Sequence, residues 1–426
     1  MITKKSNNRF IFNVLTLVSG TAISQGIILT VMPILTRIYT PEEFGNYALY
    51  LAIVSTISVV SSWKYELAIM LPKKDEDAQA LLFVSSLITI LMSLLILIVL
   101  FIFRNQLLQV FANIKIFIWL IPLGVFGTGM LQVFSAWNTR NQFYRNVSGS
   151  RIVQSGTTAI SQFSFWSLSS AGKGLIWGSI TGFILSLLVL VYRSIKMNTI
   201  YLKSLSKEKI LYNIKEYRNF PKYQSFSVLI NSFSQHLPVM LLTVFYSPVV
   251  AGFYSLTHRA LNTPARLIGG SVRQVFYEKA SKIYGSGKSI KNIYEKVTLN
   301  LIKVTLIPYL AIGLFSRDIF SIVFGSDWIT SGIYAQYIIF FIFTITVNPP
   351  SVMSIQILGM QKFHLKYEFF LAITRAVSIY VGFSFFNSHF ASIGLFALVG
   401  LLFNTFLILF VYNKIRQNTT ERKSIE

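Results

Sequence analysis

The sequence predicts an all-α polytopic membrane protein, with 12 transmembrane helices in two parallel six-helix lobes around a central cationic cavity. Three observations carry this reading. The 426 residues are 53% hydrophobic and only 12% charged, against roughly 25% charged in a soluble domain. Apolar runs of about 20 residues recur along the whole chain, the length needed to cross a bilayer. The connectors between those runs alternate between rich and poor in Lys and Arg.

In the first half the runs fall at 13–36, 44–63, 78–103, 116–137, 152–172 and 174–192. The first follows Lys4, Lys5 and Arg9, as in a signal peptide, but it is too long for a signal segment and lacks a convincing cleavage site, so it is kept as a helix. The connector 193–222 holds eight Lys and Arg and is expected to be part helical over 207–217, lying on the membrane surface. The second half repeats the pattern at 223–246, 251–276, 297–315, 330–358, 367–386 and 390–413, before a tail at 414–426. The expected division is a lobe at 1–192, a basic linker at 193–222, a lobe at 223–413 and the tail.

Of the 38 Lys and Arg, 28 sit at the N-terminus, the tail and every second connector, five on the opposite connectors, and five inside the runs. The positive-inside rule then puts both termini in the cytoplasm. The net charge of +23 is read as this asymmetry and as contact with anionic lipid. It is not read as nucleic-acid binding, because the basic residues follow helix ends instead of forming one patch.

The halves carry a faint internal repeat. Tyr39, Pro41, Gly45, Tyr47 and Leu49 recur as Tyr246, Pro248, Gly252, Tyr254 and Leu256, each shifted by 207 residues. An even number of helices per half makes the repeats parallel. Two such lobes with short external connectors form a transporter architecture, whereas a polymerase or ligase calls for a large external loop.

Arg259, Arg266 and Arg273 are spaced by seven, nearly two helical turns, so they share one face of one run. Arg259 and Arg266 lie roughly 12 and 22 Å into it at 1.5 Å per residue. Intramembrane charge is costly and faces a bundle interior or a wet cavity. With no acid between Ala251 and Phe276, the row suggests a wall facing an anion such as pyrophosphate or an acidic sugar, for which guanidinium forks are suited. The competing reading is a set of hydrogen bonds to neighbouring carbonyls. Arg273, nearer the helix end, and Lys303 are placed to snorkel.

Arg375, one heptad after Glu368, is either a further substrate contact or half of an ion pair. Lys64 and Glu66 are placed at the end of the second helix, as a gate or an interfacial pair. Gln25, Asn231 and Gln235 belong to mid-span polar runs that either bond across helices or line a wet lumen. Pro264 and Pro349 mark expected kinks and candidate hinges.

The helix interiors hold no carboxylate apart from Glu66 and Glu368 near helix ends, which argues against a cation-drug exporter. The chain has no cysteine and no nucleotide-binding loop, metal cluster or nucleophile triad, so no cofactor is expected.

Several motifs resemble the polysaccharide transporter family, the oligosaccharide-lipid flippases of the superfamily that includes multidrug and toxin extrusion exporters. They are Leu35-Thr36-Arg37-Ile38-Tyr39-Thr40-Pro41-Glu42-Glu43-Phe44-Gly45 and Lys64-Tyr65-Glu66-Leu67-Ala68 with the turn Pro72-Lys73-Lys74-Asp75. Trp137, Arg140, Arg151, Gln154 and Ser155 resemble the family's junction of helices four and five. Gly252-Phe253-Tyr254-Ser255-Leu256 with Arg259, Pro264 and Gln274-Val275-Phe276 resembles its helix eight. The resemblance implies a non-enzymatic flippase that moves a polyprenyl-pyrophosphate-linked oligosaccharide, an O-antigen or capsule repeat unit, across the inner membrane. It also implies a polysaccharide polymerase and a chain-length regulator as partners. A multidrug-type exporter and a non-transporting scaffold of a glycan-assembly complex stand as the alternatives.

Overall fold

The computed structural model describes residues 2–106, 117–168, 173–197, 199 and 206–423, with side chains described between residues 16 and 417. Lys4, Lys5, Arg9, Lys115, Lys203, Arg422 and Lys423, all counted in the charge asymmetry, lie outside the described side chains. Regular structure among the described residues is entirely helical. Eight helices among the described residues are long and apolar enough to cross a membrane, and the chain is a multi-pass membrane protein. The chain divides into two compact units, Met1–Met240 and Leu241–Glu426.

The first unit runs through α1 (Ile2–Ile38), α2 (Pro41–Ser58), the short α3 (Tyr65–Ala68), α4 (Asp75–Ile102), α5 (Ile121–Arg140), α6 (Tyr144–Leu168), α7 (Gly174–Lys196) and α8 (Lys207–Glu216). A π-helical turn, Phe220–Gln224, leads into α9 (Ser225–Phe245). The second unit holds α10 (Pro248–Gly285), α11 (Lys291–Phe324), α12 (Ile329–Val347), α13 (Pro349–Ile357), α14 (Gln361–Ser384) and α15 (His389–Lys423). Each predicted apolar run has most of its described residues on one of these helices or on an adjacent pair, and residue 116 and residues 169–172 of two runs lie outside the described residues.

Two boundaries differ from the sequence expectation. The run 44–63 continues past the end of α2 at Ser58. Serine hydroxyls compete for the last carbonyls there: Ser61 Oγ donates to the Ser58 carbonyl at 2.9 Å. Trp63 and Lys64 then adopt φ of +50° and +61°, the left-handed region that stops a helix. The run 330–358 is broken at Asn348, between α12 and α13. Pro349 and Pro350 open α13, where a missing N–H costs no intrahelical bond.

In the first unit α6 packs most extensively against α7 and α1. Gly174, Gly178 and Gly182 form a stripe of small residues at four-residue steps along α7. A β-carbon at Gly178 would collide with Gln162 Cγ and stand 2.7 Å from the Gln162 backbone nitrogen. One at Gly182 would collide with Thr158 Oγ1 and stand 2.9 Å from the Gln154 carbonyl oxygen. Lipid-embedded helices associate through such close van der Waals approach because burial from water contributes little between them.

The expected linker helix is present, as α8, and it packs within the first unit. Ile210, Ile214, Tyr217 and Phe220 cover a core of Tyr65, Ile69, Leu81, Val133 and Trp137.

The internal repeat extends to three-dimensional contacts. Thr40 caps α2 with Pro41 in its first turn, and Ser247 caps α10 with Pro248 in the matching place. Tyr39 donates its hydroxyl to the Gln162 carbonyl on α6 at 2.6 Å, and Gln162 Nε2 donates to the Leu175 carbonyl of α7 at 3.0 Å. The Tyr246 hydroxyl lies 2.8 Å from Ser392 Oγ on α15, and Ser392 donates to the Ile379 carbonyl of α14 at 2.8 Å. In each half the same tyrosine thus locks to the half's last helical hairpin.

Candidate functional site

The second unit contains the arginine row. Ser247 sets the start of α10 by accepting from the Val250 N–H, and this fixes the register of the whole helix. Tyr254, His258, Asn262 and Arg266 are spaced by four, so they form one stripe along it. The Tyr254 ring stacks on His258 with centroids 5.7 Å apart. His258 Nε2 lies 3.3 Å from the Asn262 amide. Neighbouring donors orient that amide, and Asn262 Oδ1 then accepts from Arg266 Nη2 at 3.2 Å and Nε at 3.3 Å. Asn262 is buried and Arg266 exposed, so the amide holds the base of the fork and leaves its far edge open.

Arg259 is half-buried and Arg273 exposed. Pro264 lies inside an unbroken α10 and does not end the helix. It removes the backbone donor for the Ala260 carbonyl. Next to it, Thr263 Oγ1 donates to the Arg259 carbonyl at 2.7 Å. At Pro349 the helix is interrupted instead of merely bent: Asn348 separates α12 from α13, and its Nδ2 donates to Asn404 Oδ1 at 2.7 Å. Gly269 of α10 rests on the Pro349 ring, a β-carbon there standing 3.4 Å from Pro349 Cγ.

Arg375 does not pair with Glu368. Glu368 faces His364 instead, at 3.6 Å one helical turn away. The Arg375 guanidinium lies beside two rings that meet edge to face 5.6 Å apart, 5.2 Å from the Phe341 centroid and 5.5 Å from that of Phe396. Among the described residues no carboxylate stands within ion-pair distance of Arg259, Arg266, Arg273 or Arg375. Guanidinium forks left without a paired acid have the geometry that suits a carboxylate or phosphate. Lys303 is exposed on α11. No group of side chains suited to a metal ion occurs among the described residues.

The first unit holds the other candidates. Lys64 Nζ donates to Glu66 Oε1 at 3.0 Å, and Ser62 donates to the second carboxylate oxygen. The pair lies in the turn before α3 and in α3 itself, not at the end of α2, and both residues are buried. Gln25 is half-buried in α1. The α1 polar run bonds across helices: Arg151 donates to Thr21 Oγ1 at 2.6 Å, and Ser24 donates to the Arg151 carbonyl at 3.1 Å. Asn231 and Gln235 are exposed on α9 and bond each other, Gln235 Nε2 donating to Asn231 Oδ1 at 2.7 Å.

Sequence reasoning does not single out Asn262, Phe341 or Phe396. Asn262 is accessible from spacing, since it lies midway between His258 and Arg266 on the four-residue stripe. The two phenylalanines come from other helices and carry no local signal.

Residues 34–333 match the family model described as polysaccharide biosynthesis protein. The chain belongs to the polysaccharide biosynthesis protein family. The match runs from the end of α1 into α12 and takes in Lys64, Glu66 and the whole arginine row, while Arg375 lies beyond it. No curated protein sequence matches the chain. The lipid II flippase MurJ in an inward closed conformation matches the fold with a TM-score of 0.73 at 13% identity, over 95% of this chain and 90% of that one. An inward-facing multidrug resistance MATE family transporter of the MOP superfamily matches with a TM-score of 0.64 at 12% identity, over 97% and 98% of the two chains. An outward-facing transporter of that description gives 0.59 at 11%, over 96% of each. At these identities the likeness establishes a shared fold, so this family member has the fold seen in MurJ and in MATE transporters.

Proposed function

We propose that the chain is a flippase that carries a polyprenyl-pyrophosphate-linked oligosaccharide from the cytoplasmic to the outer leaflet by alternating access. The observation that carries this reading is the acid-free arginine row on α10, with Arg266 held at its base by Asn262 and open at its outer edge. Bringing a diphosphate toward the middle of a bilayer is prohibitive without fixed positive charge. A preset guanidinium fork offsets part of that cost and adds bidentate hydrogen bonds. Membership of a polysaccharide biosynthesis family supports a glycan cargo. The MurJ fold, whose own cargo is lipid II, supports a lipid-linked one.

The charge asymmetry supports an inner-membrane protein with both termini in the cytoplasm. An O-antigen or capsule repeat unit is the proposed glycan. A polymerase and a chain-length regulator are the proposed partners on the receiving side. Arg259 and Arg266 are the proposed substrate contacts, and Pro264 and Pro349 the proposed hinge positions.

The test is headgroup flipping of a fluorescent lipid-linked oligosaccharide in liposomes that contain only this protein, with and without a pH gradient. Quenching above that of empty liposomes is expected. Arg266→Gln should abolish it at normal expression, and Arg266→Lys should retain part of it. Full flipping by Arg266→Gln would remove the residue from the mechanism. Absence of flipping by folded protein with its own glycan would favour a scaffold role. Likeness to MATE transporters keeps drug export as a second reading, and efflux of a cationic dye from the same liposomes separates the two.

A further inference from the structure

Arg375 is a cation whose surroundings are incomplete. Two phenylalanine rings in edge contact flank its guanidinium, Phe341 from α12 and Phe396 from α15. Rings satisfy the faces of a guanidinium but not its N–H edges. The Nε atom is buried and has no hydrogen-bond partner among the described residues. The acid on its own helix, Glu368, faces His364 and stands beyond ion-pair distance of Arg375, though within its electrostatic reach, as Tyr367 is. Tyr254 stands edge-on to Phe396, with ring centroids 6.0 Å apart, and lies within electrostatic reach of Arg375. A buried charge is normally retained only when paired and hydrogen-bonded. Arg375 is half-buried, its two rings stand together on one side, and among the described residues no side chain supplies an acceptor to its buried Nε.

We propose that the slot formed by Arg375, Phe341 and Phe396 binds one carboxylate-sized anion inside the second unit, separately from the arginine row on α10. The anion accepts from the Arg375 N–H edge, and the two rings flank the guanidinium on its other side. Two sources supply this chemistry. One is a free monoanion such as chloride. The other is the carboxylate of an acidic sugar in the cargo, an assignment that rests on the flippase reading; it would make the transported glycan anionic. Binding itself does not depend on transport, so either can fail without the other.

The experiment is a thermal melt of the full-length protein in nanodiscs, in a buffer whose only other anion is a bulky sulfonate. Sodium glucuronate, sodium chloride and glucose are added in turn. A saturable rise of about 3 °C is expected with an anion and none with glucose. A rise with glucuronate alone assigns the site to an acidic sugar, and an equal rise with chloride assigns it to a free monoanion. Arg375→Met fills the slot with an apolar chain. It should melt no lower than the wild type and lose the rise. Arg375→Lys keeps the charge but not the fork and should need about tenfold more anion. Arg266→Gln should keep the rise. The proposal is overturned if no anion raises the melting temperature, if Arg375→Met or Arg375→Lys responds as the wild type does, or if Arg266→Gln abolishes the effect.

Discussion

The Tyr65 hydroxyl donates to the Ile214 carbonyl at 3.0 Å, joining the short helix after α2 to the linker helix 149 residues later. It is one of three ties on that linker helix. Asn213 Nδ2 donates to Asp77 Oδ1 at 3.1 Å, and Lys209 pairs with Glu76. The remaining acid of this cluster, Asp75, accepts from Arg140 at 3.0 Å. Asp75, Glu76 and Asp77 form the first turn of α4, where negative charge is favoured by the helix dipole, and each has a different partner.

Removing the Tyr65 hydroxyl tests this strap. Burial raises the phenol above its usual range, so it stays a donor at any physiological pH. Tyr65→Phe keeps the ring and leaves the Ile214 carbonyl without its donor. We expect a loss of about 1 kcal/mol, together with faster tryptic cleavage at Lys209 and Lys215 and unchanged cleavage elsewhere. Equal cleavage rates in the two proteins would mean that apolar packing alone holds α8.

The Lys64–Glu66 pair separates a gate from a structural tie. Breaking one side of a buried pair leaves an uncompensated charge, so Lys64→Met or Glu66→Gln should each cost about 3–5 kcal/mol. The double variant Lys64→Met/Glu66→Met should recover most of that in a thermal melt. Flipping by the double variant then decides the role. Retained flipping makes the pair structural, and lost flipping with restored stability makes it part of the transport cycle.

The helices are legible because a membrane span is written in consecutive residues: length and apolarity decide it locally. The arginine row is legible for the same reason, since its spacing of seven lies on one helix. What the sequence hides depends on partners from elsewhere in the chain. The polar residues of α1 read equally well as lumen lining or as bonds across helices, and only the Arg151–Thr21 and Ser24–Arg151 contacts distinguish the two. Glu368 is an attractive partner for Arg375 at heptad spacing, yet it faces His364, and two phenylalanines in edge contact flank the guanidinium instead. The stop after Ser58 is a matter of backbone sign at Trp63 and Lys64, which apolar periodicity does not report.

Helix packing gives a third prediction. A β-carbon at Gly178 would collide with the Gln162 side chain and stand 2.7 Å from its backbone nitrogen. Gly178→Ala should therefore separate α6 from α7 and cost about 1–3 kcal/mol. Gly156, on α6, has nothing within 4 Å of the same position. Gly156→Ala should be neutral or gain up to about 1 kcal/mol from helix propensity. A thermal melt that ranks the two variants equally would show that the α6–α7 contact tolerates expansion.

Asn262 provides the sharpest test of the anion site without touching an arginine. Its amide oxygen accepts from Arg266 Nη2 and Nε, so two substitutions push the site in different directions. Asn262→Ala removes the brace and lets the Arg266 fork wander. Misplacement of a binding group should lower the flipping rate by roughly tenfold. Asn262→Asp keeps the size and the acceptor but puts a carboxylate about 3 Å from the guanidinium, the distance of a charge-assisted hydrogen bond. That internal acid competes with the cargo anion, so flipping should fall further than in Asn262→Ala while the protein melts no lower than wild type. If Arg266 served only to hold α10 in place, the order would reverse: the new ion pair would preserve transport and the alanine would damage it. Flipping rates and melting temperatures of the two variants, measured in the same liposomes, therefore assign Arg266 to substrate or to scaffold.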